Sequence, residues 1–452
     1  MDPPSKWTGN ASLRYLFPWG PDNVIRDVDS DPHVGRKPAL VVMMIILLST
    51  AALSKDEPRR IKVIGTGRAV GMPILTSWFL TEPSTDPLII PTRAHGEVEA
   101  ADIRRFVRIY FPRSYSNLLE YEFFFLDQVD MFTLSDQQQR WLCDALKNHR
   151  KGAVNTRSAM SVNANFYMPW VESELSDAFP NDAAAVIADN ANFRAPTGPL
   201  VIRDDRDLPG IMKPYRDMIE RLFPVYVSHH NNFPLTIPRP GSTVLSYTRN
   251  SMGIGFPIPG QIAQVFYWSW NRSITFTTRG VVYDPFWSAS PTGSHAANPY
   301  ALDIIANIVW FSTGRELPDD PSRVHDFRRD LFDFGLQQSL LTSLLDFAEI
   351  FGANPADEYS RLADVQAIRT RANDHYLDGD FNAAHETMQV ALDTLAELEE
   401  DVSKLKDRAM MWVYIVEWSV TTSVFLLTGF VLWTLMVRRR FYREVATTKQ
   451  FR

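Results

Sequence analysis

The chain is almost without cysteine. Among its 452 residues only Cys143 is present, so no disulfide can form within it. Any part outside the cytoplasm must therefore be held by its core alone. Positive charge is not in excess either: 46 Lys and Arg stand against 53 Asp and Glu, a formal net charge of -7. No global basic field favours nucleic acid, and no such partner is expected. There is no nucleophile elbow and no set of His, Cys, Asp and Glu at metal-ligand spacing, so no cofactor or metal is expected.

One long run carries no charge. Trp418 to Val437 are twenty uncharged residues, followed at once by Arg438, Arg439 and Arg440. At about 1.5 Å per residue the run matches the roughly 30 Å hydrocarbon core of a bilayer. Trp412, Tyr414 and Trp418 at one end and Trp433 near the other form an interfacial aromatic belt. The basic end, continued by Arg443, Lys449 and Arg452 against Glu444 alone, places the tail in the cytoplasm by the positive-inside rule. The lipid bilayer is thus the first expected partner. A second apolar run, Pro38–Leu53, lies behind Arg36 and Lys37 and ends in small residues. It reads as either a signal peptide or an uncleaved signal anchor. The protein is then single-pass in the cell membrane, or two-pass if residues 38–53 are retained, with the middle of the chain outside. The divisions expected are a leader over 1–37, the apolar segment 38–53, an α/β ectodomain over 56–316, a helical stalk over 317–408, a transmembrane helix over 409–437 and a basic cytoplasmic tail over 438–452.

The middle reads as α/β. Arg60–Gly65, Phe106–Phe111, Tyr121–Leu126 and Gly152–Asn155 are short runs rich in aromatic and β-branched residues, expected as strands. Ser135 with Gln138 three residues on is a capping-box signature for a helix between the last two. Strand, helix and strand at this spacing imply a parallel sheet. Residues 160–240 are loop-rich, with a helix near Met212–Leu222. Further strands are expected at Thr243–Thr248, Gln264–Trp270 and Ser273–Thr278, the last two joined by a turn at Asn271-Arg272. A helix follows over Asn298–Ser312, stopped by Gly314. Beyond Pro318 the expected helices are Leu336–Phe351, Leu362–Leu377 and one continuous helix from Phe381 into the membrane. Phe381, Ala384, Met388, Ala391, Leu395, Leu398, Val402, Leu405, Ala409 and Trp412 repeat at alternating intervals of 3 and 4, the coiled-coil period. This 381–412 face packs either on the preceding helix as a hairpin or on a second copy or membrane subunit.

Chemistry is thinly signalled. Gly65, Gly67 and Gly71 miss the dinucleotide fingerprint by one place, with Val70 where the third glycine belongs. They read as a tight strand-to-loop turn. Ser158, just after the strand Gly152–Asn155, is a weak candidate nucleophile at the carboxyl end of a sheet, and Arg157 beside it a candidate anion ligand. His295 is the other weak catalytic candidate. Cys143 falls inside a helix and reads as a buried, inert thiol. His229-His230 and Asp204-Asp205-Arg206-Asp207 lack the spacing of a metal site or a calcium loop. Asn10-Ala11-Ser12 and Asn271-Arg272-Ser273 are glycosylation sequons.

Residues Ile61–Arg315 resemble the class I glutamine amidotransferase-like superfamily. The resemblance lies in Tyr121–Asp130 (YEFFFLDQVD), in Gly152–Ser158 (GAVNTRS) at the place of the nucleophile turn, and in Asn298–Arg315 as the closing helix. It implies a flavodoxin-like sheet. Active members carry a cysteine in the turn and a late His-x-Glu. Here Arg157 and Ser158 stand at the turn, and His295 is followed by Ala296 and Ala297. The resemblance therefore implies a non-catalytic relative, a pseudoenzyme that binds or scaffolds. The layout is also similar to that of ABC-transporter auxiliary proteins. An auxiliary transporter subunit and a serine- or histidine-dependent hydrolase are the alternative expectations.

Overall fold

In the computed structural model the described residues are 60–68, 79–93, 100–127, 129–156, 168–182, 198–223, 237–249, 258–278, 286–287 and 298–449. The N-terminal apolar segment 38–53 lies outside them.

Eight strands form one sheet: β1 Ile61–Arg68, β2 Thr85–Arg93, β3 Phe123–Leu126, β4 Gly152–Asn155, β5 Leu200–Ile202, β6 Thr243–Arg249, β7 Gln261–Trp270 and β8 Ser273–Thr278. Their spatial order is β2-β1-β3-β4-β8-β7-β6-β5. The first five are parallel to their neighbours and the last three antiparallel. The expectation of a parallel sheet therefore holds for one half of a mixed sheet. The β7–β8 hairpin turns at Asn271, whose φ of 53° is left-handed, a conformation asparagine tolerates well.

Helices among the described residues are α1 Ala100–Tyr110, α2 Tyr115–Leu118, α3 Asp136–Asn148, α4 Met168–Val171, α5 Arg216–Leu222, α6 Ala301–Thr313, α7 Pro321–Ile350, α8 Ala356–Leu377 and α9 Phe381–Lys449. Strands β1, β3 and β4 are apolar on both faces because both are covered. Phe123, Phe125, Val154 and Val63 join α5, α6 and the long helices in one core. Phe124, Leu126, Ala153 and Ile64 join α1 and α3 in a second.

Two expectations are corrected. Phe106–Phe111 is the C-terminal part of α1 and its exit, not a strand. Ile103, Val107 and Phe111 are buried at four-residue intervals while Arg104, Arg105 and Arg108 are exposed; a short apolar run does not by itself separate helix from strand. Gly65 and Gly67 lie within β1, not in a turn after it. Strand β2, unexpected because of Pro87 and Pro91, pairs only with β1 in the sheet, and an edge strand tolerates proline.

The C-terminal helices are longer than the periodicity indicates. Helix α7 starts at Pro321, with Asp320 capping the amides of Ser322 and Arg323, a proline-first start. It ends in a Schellman cap: Ala353 N–H donates to Ala348 O (3.0 Å), Gly352 N–H to Glu349 O (2.9 Å), and Gly352 takes a φ of 84°. Helices α7 and α8 both pack along α9. Of the heptad residues, Ala384, Met388, Ala391, Leu395, Leu398, Val402 and Ala409 are buried. The heptad face up to Ala409 is thus occupied within the chain, while Trp412 beyond it is exposed. Each buried leucine here contributes roughly 1.5–3 kcal/mol.

Past Ala409 the same helix changes character. From Met411 to Tyr442 no residue is buried, and the exposed set includes Trp418, Phe425, Leu426, Leu427, Phe430 and Trp433. Among the described residues this is the one helix long and apolar enough to cross a membrane.

Candidate functional site

Parallel strands place their chemistry at their carboxyl ends, and ligands meet such sheets where the strand order reverses. Here that point lies between β1 and β3. Asp127 follows β3 directly and is buried. Its amide donates to Thr66 O (2.9 Å), and its carboxylate Oδ1 accepts from the Thr156 hydroxyl at 2.6 Å. Thr156 in turn donates its amide to Leu126 O (3.2 Å). Gly67 lets β1 approach: a Cβ there would stand 3.2 Å from Asp127 Cβ. Asp127, Asn155 and Thr156 are thus a fixed polar floor at the reversal point. Arg157 and Ser158, the residues that follow, lie outside the described residues, as do His295, His229 and His230.

Beside this floor a groove of about 780 Å³ runs between α1 and α3. Its lining includes Arg104, Arg108 and Arg113, with Phe132, Ser135 and Trp141, and no acidic side chain among the described residues. The Thr133 hydroxyl, in the loop forming one wall, donates to Thr92 O of β2 (3.0 Å), tying the groove to the carboxyl edge. Helix α3 begins there with the expected capping box: Gln138 N–H donates to Ser135 Oγ (3.3 Å) and Ser135 N–H to Gln138 Oε1 (2.9 Å). Phe132 is 68% exposed, so the groove offers an aromatic ring beside three guanidinium groups. Such a surface suits an anionic ligand or an acidic segment with apolar content.

A third constellation was not anticipated. Arg328 of α7 is buried where α7 and α8 meet the sheet domain. Its Nε donates to Glu82 Oε2 (2.7 Å), Nη1 to Asp303 Oδ1 (2.8 Å) and Nη2 to the Tyr376 hydroxyl (2.8 Å). The Tyr376 hydroxyl donates to Glu82 Oε1 (2.9 Å), which also accepts from Ser84 Oγ (2.7 Å). Asp303 Oδ2 lies 2.7 Å from His325 Nδ1. The guanidinium sits over Trp310 and Tyr376, 5.5 and 5.9 Å from the ring centroids. Burial holds the Tyr376 phenol well above its ordinary range; for Arg328 burial works to lower the pKa, and Glu82, Tyr376 and Asp303 outweigh it. Four segments far apart in sequence meet here with every charge hydrogen-bonded, so the network fixes how the long helices join the domain. The visible signal in the sequence is one arginine among Val324, Phe327 and Leu331.

The remaining candidates resolve as structural features. Burial pushes the Cys143 thiol up to about 11, away from reactivity. The Asp204–Asp207 turn is exposed, and Asp204 pairs with Arg216 while Asp205 pairs with Arg203. His325 faces Asp303, and His385 Nδ1 lies 2.8 Å from Asp330 Oδ2 without hydrogen-bond direction; neither pairs with a nucleophile. No cluster of three or more metal-ligating side chains exists among the described residues. Trp412, Trp418, Trp433, Arg438, Arg439 and Arg440 all lie exposed on α9.

No family model and no curated protein matches the chain. Two solved structures are similar to part of it. Cytoplasmic protein STM3548 from Salmonella typhimurium is 13% identical over 56% of this chain and 99% of its own, with a TM-score of 0.32. Cytoplasmic protein STM1381 from Salmonella typhimurium LT2 is 12% identical over 56% of this chain and 98% of its own, with a TM-score of 0.35. Likeness of this degree carries no argument about function.

Proposed function

We propose that the chain is a membrane-anchored binding or scaffold protein with its sheet domain outside the cell and its basic tail in the cytoplasm. One observation carries this reading. A single unbroken helix, α9, is packed by α7 and α8 as far as Ala409 and is then apolar, with no residue buried, to Val437. In water such a surface would associate or aggregate; in lipid it is at rest. The triple arginine behind it sets the orientation. Binding falls to the carboxyl edge of the sheet and the arginine-lined groove beside it, which favour an anionic partner. The five parallel strands follow the order of flavodoxin-like sheets, and this supports kinship with non-catalytic glutamine amidotransferase-like domains.

A second reading, an auxiliary subunit of an ABC-type transporter, is favoured by one feature. Phe332, Leu336 and Leu340 form an exposed apolar stripe at four-residue intervals along α7, which a membrane subunit would cover. The test is affinity purification of the full chain from gently solubilised membranes, repeated with Arg104, Arg108 and Arg113 changed to glutamate. An anionic partner lost from the triple variant supports the groove reading. Permease subunits retained by the triple variant and lost on Leu336→Glu support the transporter reading instead. Release of the chain from membranes by a carbonate wash contradicts both.

A further inference from the structure

We infer that the tip of the α7–α8 hairpin is a second membrane contact, resting on the outer lipid interface beside the α9 span. The inference rests on the reading that α9 crosses the bilayer.

Contacts of α7 and α8 fix the level of the tip along α9. Asp330 of α7 meets His385 and Gln389 of α9, an offset of 55 to 59 residues between two helices running the same way. Carried forward, that offset sets Ile350 beside residues 405–409. From the other helix, Arg361 of α8 pairs with Asp401 at 2.8 Å, and the Tyr359 hydroxyl bonds to Asp346 Oδ1 at 2.9 Å. Following α8 back from Arg361 brings its first residue, Ala356, level with residue 406. Both routes put the turn at residues 351–355 beside about residues 407–411 of α9, at one 1.5 Å step per residue on each helix.

That is the level at which α9 loses its charges. Asp407 and Arg408 are the last before a 29-residue stretch, Ala409–Val437, that contains Glu417 alone. Its length is about 43 Å, that of a bilayer including both interfaces. The hairpin tip and the start of the span therefore share one plane.

The tip carries the side chains such a plane accepts. Ile350 is 79% exposed, Phe347 is exposed, and Phe351 packs against Phe347 with ring centroids 4.6 Å apart and the rings tilted by 49°. Among the described residues nothing covers Ile350, whereas Val324, Phe327, Leu331, Phe334, Leu341 and Leu345 of the same helix are buried. The Schellman cap at Gly352 holds the turn in one shape, so the three side chains form a preset apolar corner. Glu349, Asp357 and Glu358 flank it and oppose a surface of anionic lipid. A zwitterionic headgroup region is the surface that fits. Two contacts, a span and a corner, would stop the stalk from tilting freely over the bilayer.

The test uses the full chain with Cys143→Ser, so that introduced cysteines are the sole labelling sites. A fluorophore is attached in turn at Ile350→Cys, Val424→Cys and Ser116→Cys, and each protein is placed in phosphatidylcholine nanodiscs. Nitroxide lipids carry the quencher at the headgroup or deep in the acyl chain. The expected result is at least twofold quenching at 350 by the headgroup quencher, quenching at 424 by the deep quencher, and none at 116. Quenching at 424 with position 350 unquenched and open to aqueous iodide overturns the inference and leaves the anchored reading standing. Position 350 shielded from both quenchers, with two chains in each disc, overturns it in favour of a second copy. An unquenched position 424 overturns the inference together with the membrane span on which it rests.

Discussion

The two halves of α9 are both rich in apolar side chains, and the structure treats them differently. From Phe381 to Ala409 the heptad residues form one seam, buried against α7 and α8, and the outer face is mostly Glu, Asp and Lys, with Val390 exposed among them. From Met411 to Tyr442 they lie on every side, and none is buried. One backbone continues through both halves. What changes is the solvent for which each surface is built. A narrow seam with a charged outer face belongs in water, where the seam must find a protein partner. A surface apolar all round belongs in lipid, which needs no partner. The boundary between the two falls within a few residues of the hairpin tip.

Substitutions in the covered half and at its junction should destabilise the fold, and those in the uncovered half should not. The largest effect is expected at Arg328, which holds the long helices to the domain. Arg328→Met leaves Glu82 and Asp303 buried without their counter-charge and should cost about 3–5 kcal/mol, read as a lowered urea midpoint for the detergent-solubilised full chain. A loss below about 1 kcal/mol would show the network to be incidental. Next, Leu395→Ala should cost about 2–5 kcal/mol through the cavity left in the seam. Leu426→Ala, in the uncovered half, should leave unfolding of the domain within about 0.5 kcal/mol. Equal effects of the two changes would erase the distinction between the halves.

Burial has a third consequence, this time in the sheet domain. The Cys143 thiol is raised from 9.0 to about 11 in the folded chain. The folded state therefore keeps its proton where the unfolded state loses it. This group's contribution to stability is complete below pH 9.0 and is lost as pH rises towards 11. Cys143→Ala should flatten that alkaline limb in urea titrations between pH 8.5 and 10.5. A smaller effect is expected from Ser135→Ala, which removes the α3 cap and should cost about 1 kcal/mol in the same assay. A small effect belongs to the charged outer face of α9: Asp401→Asn breaks an exposed pair with Arg361, and the slight loss of stability it causes should shrink in high salt.

Much of this was legible in the residues. The alternating 3 and 4 spacing from Phe381 and the twenty uncharged residues are local patterns, and the buried seam and the long uncovered apolar helix follow from them. The capping box at Ser135 and the turn at Asn271-Arg272 are local too. What escaped depends on partners distant in sequence. Residues 106–111 are apolar enough for a strand, and only the burial of Ile103, Val107 and Phe111 beneath three exposed arginines makes them helical. Strand β2 was hidden by two prolines that only an edge position forgives. Glu82 and Arg328 are 246 residues apart, and no local rule pairs them. Asp127 stands in a quoted strand motif, yet its place at the reversal point requires the sheet order. The weakest sequence candidates, Arg157, Ser158 and His295, fall outside the described residues, and the arginine groove, composed of α1 and the start of α3, was unseen because α1 was read as a strand.

The central claim is that α9 passes through the bilayer with the stalk on one side and the tail on the other. It is tested by placing a single cysteine, in the Cys143→Ser background, at Glu397 on the exposed face of the stalk or at Thr447 beyond the triple arginine. Intact cells are treated with a membrane-impermeant maleimide before and after permeabilisation. The expected result is labelling at 397 on intact cells and at 447 only once the cells are opened. Labelling of both positions on intact cells, or of 447 alone, would contradict it.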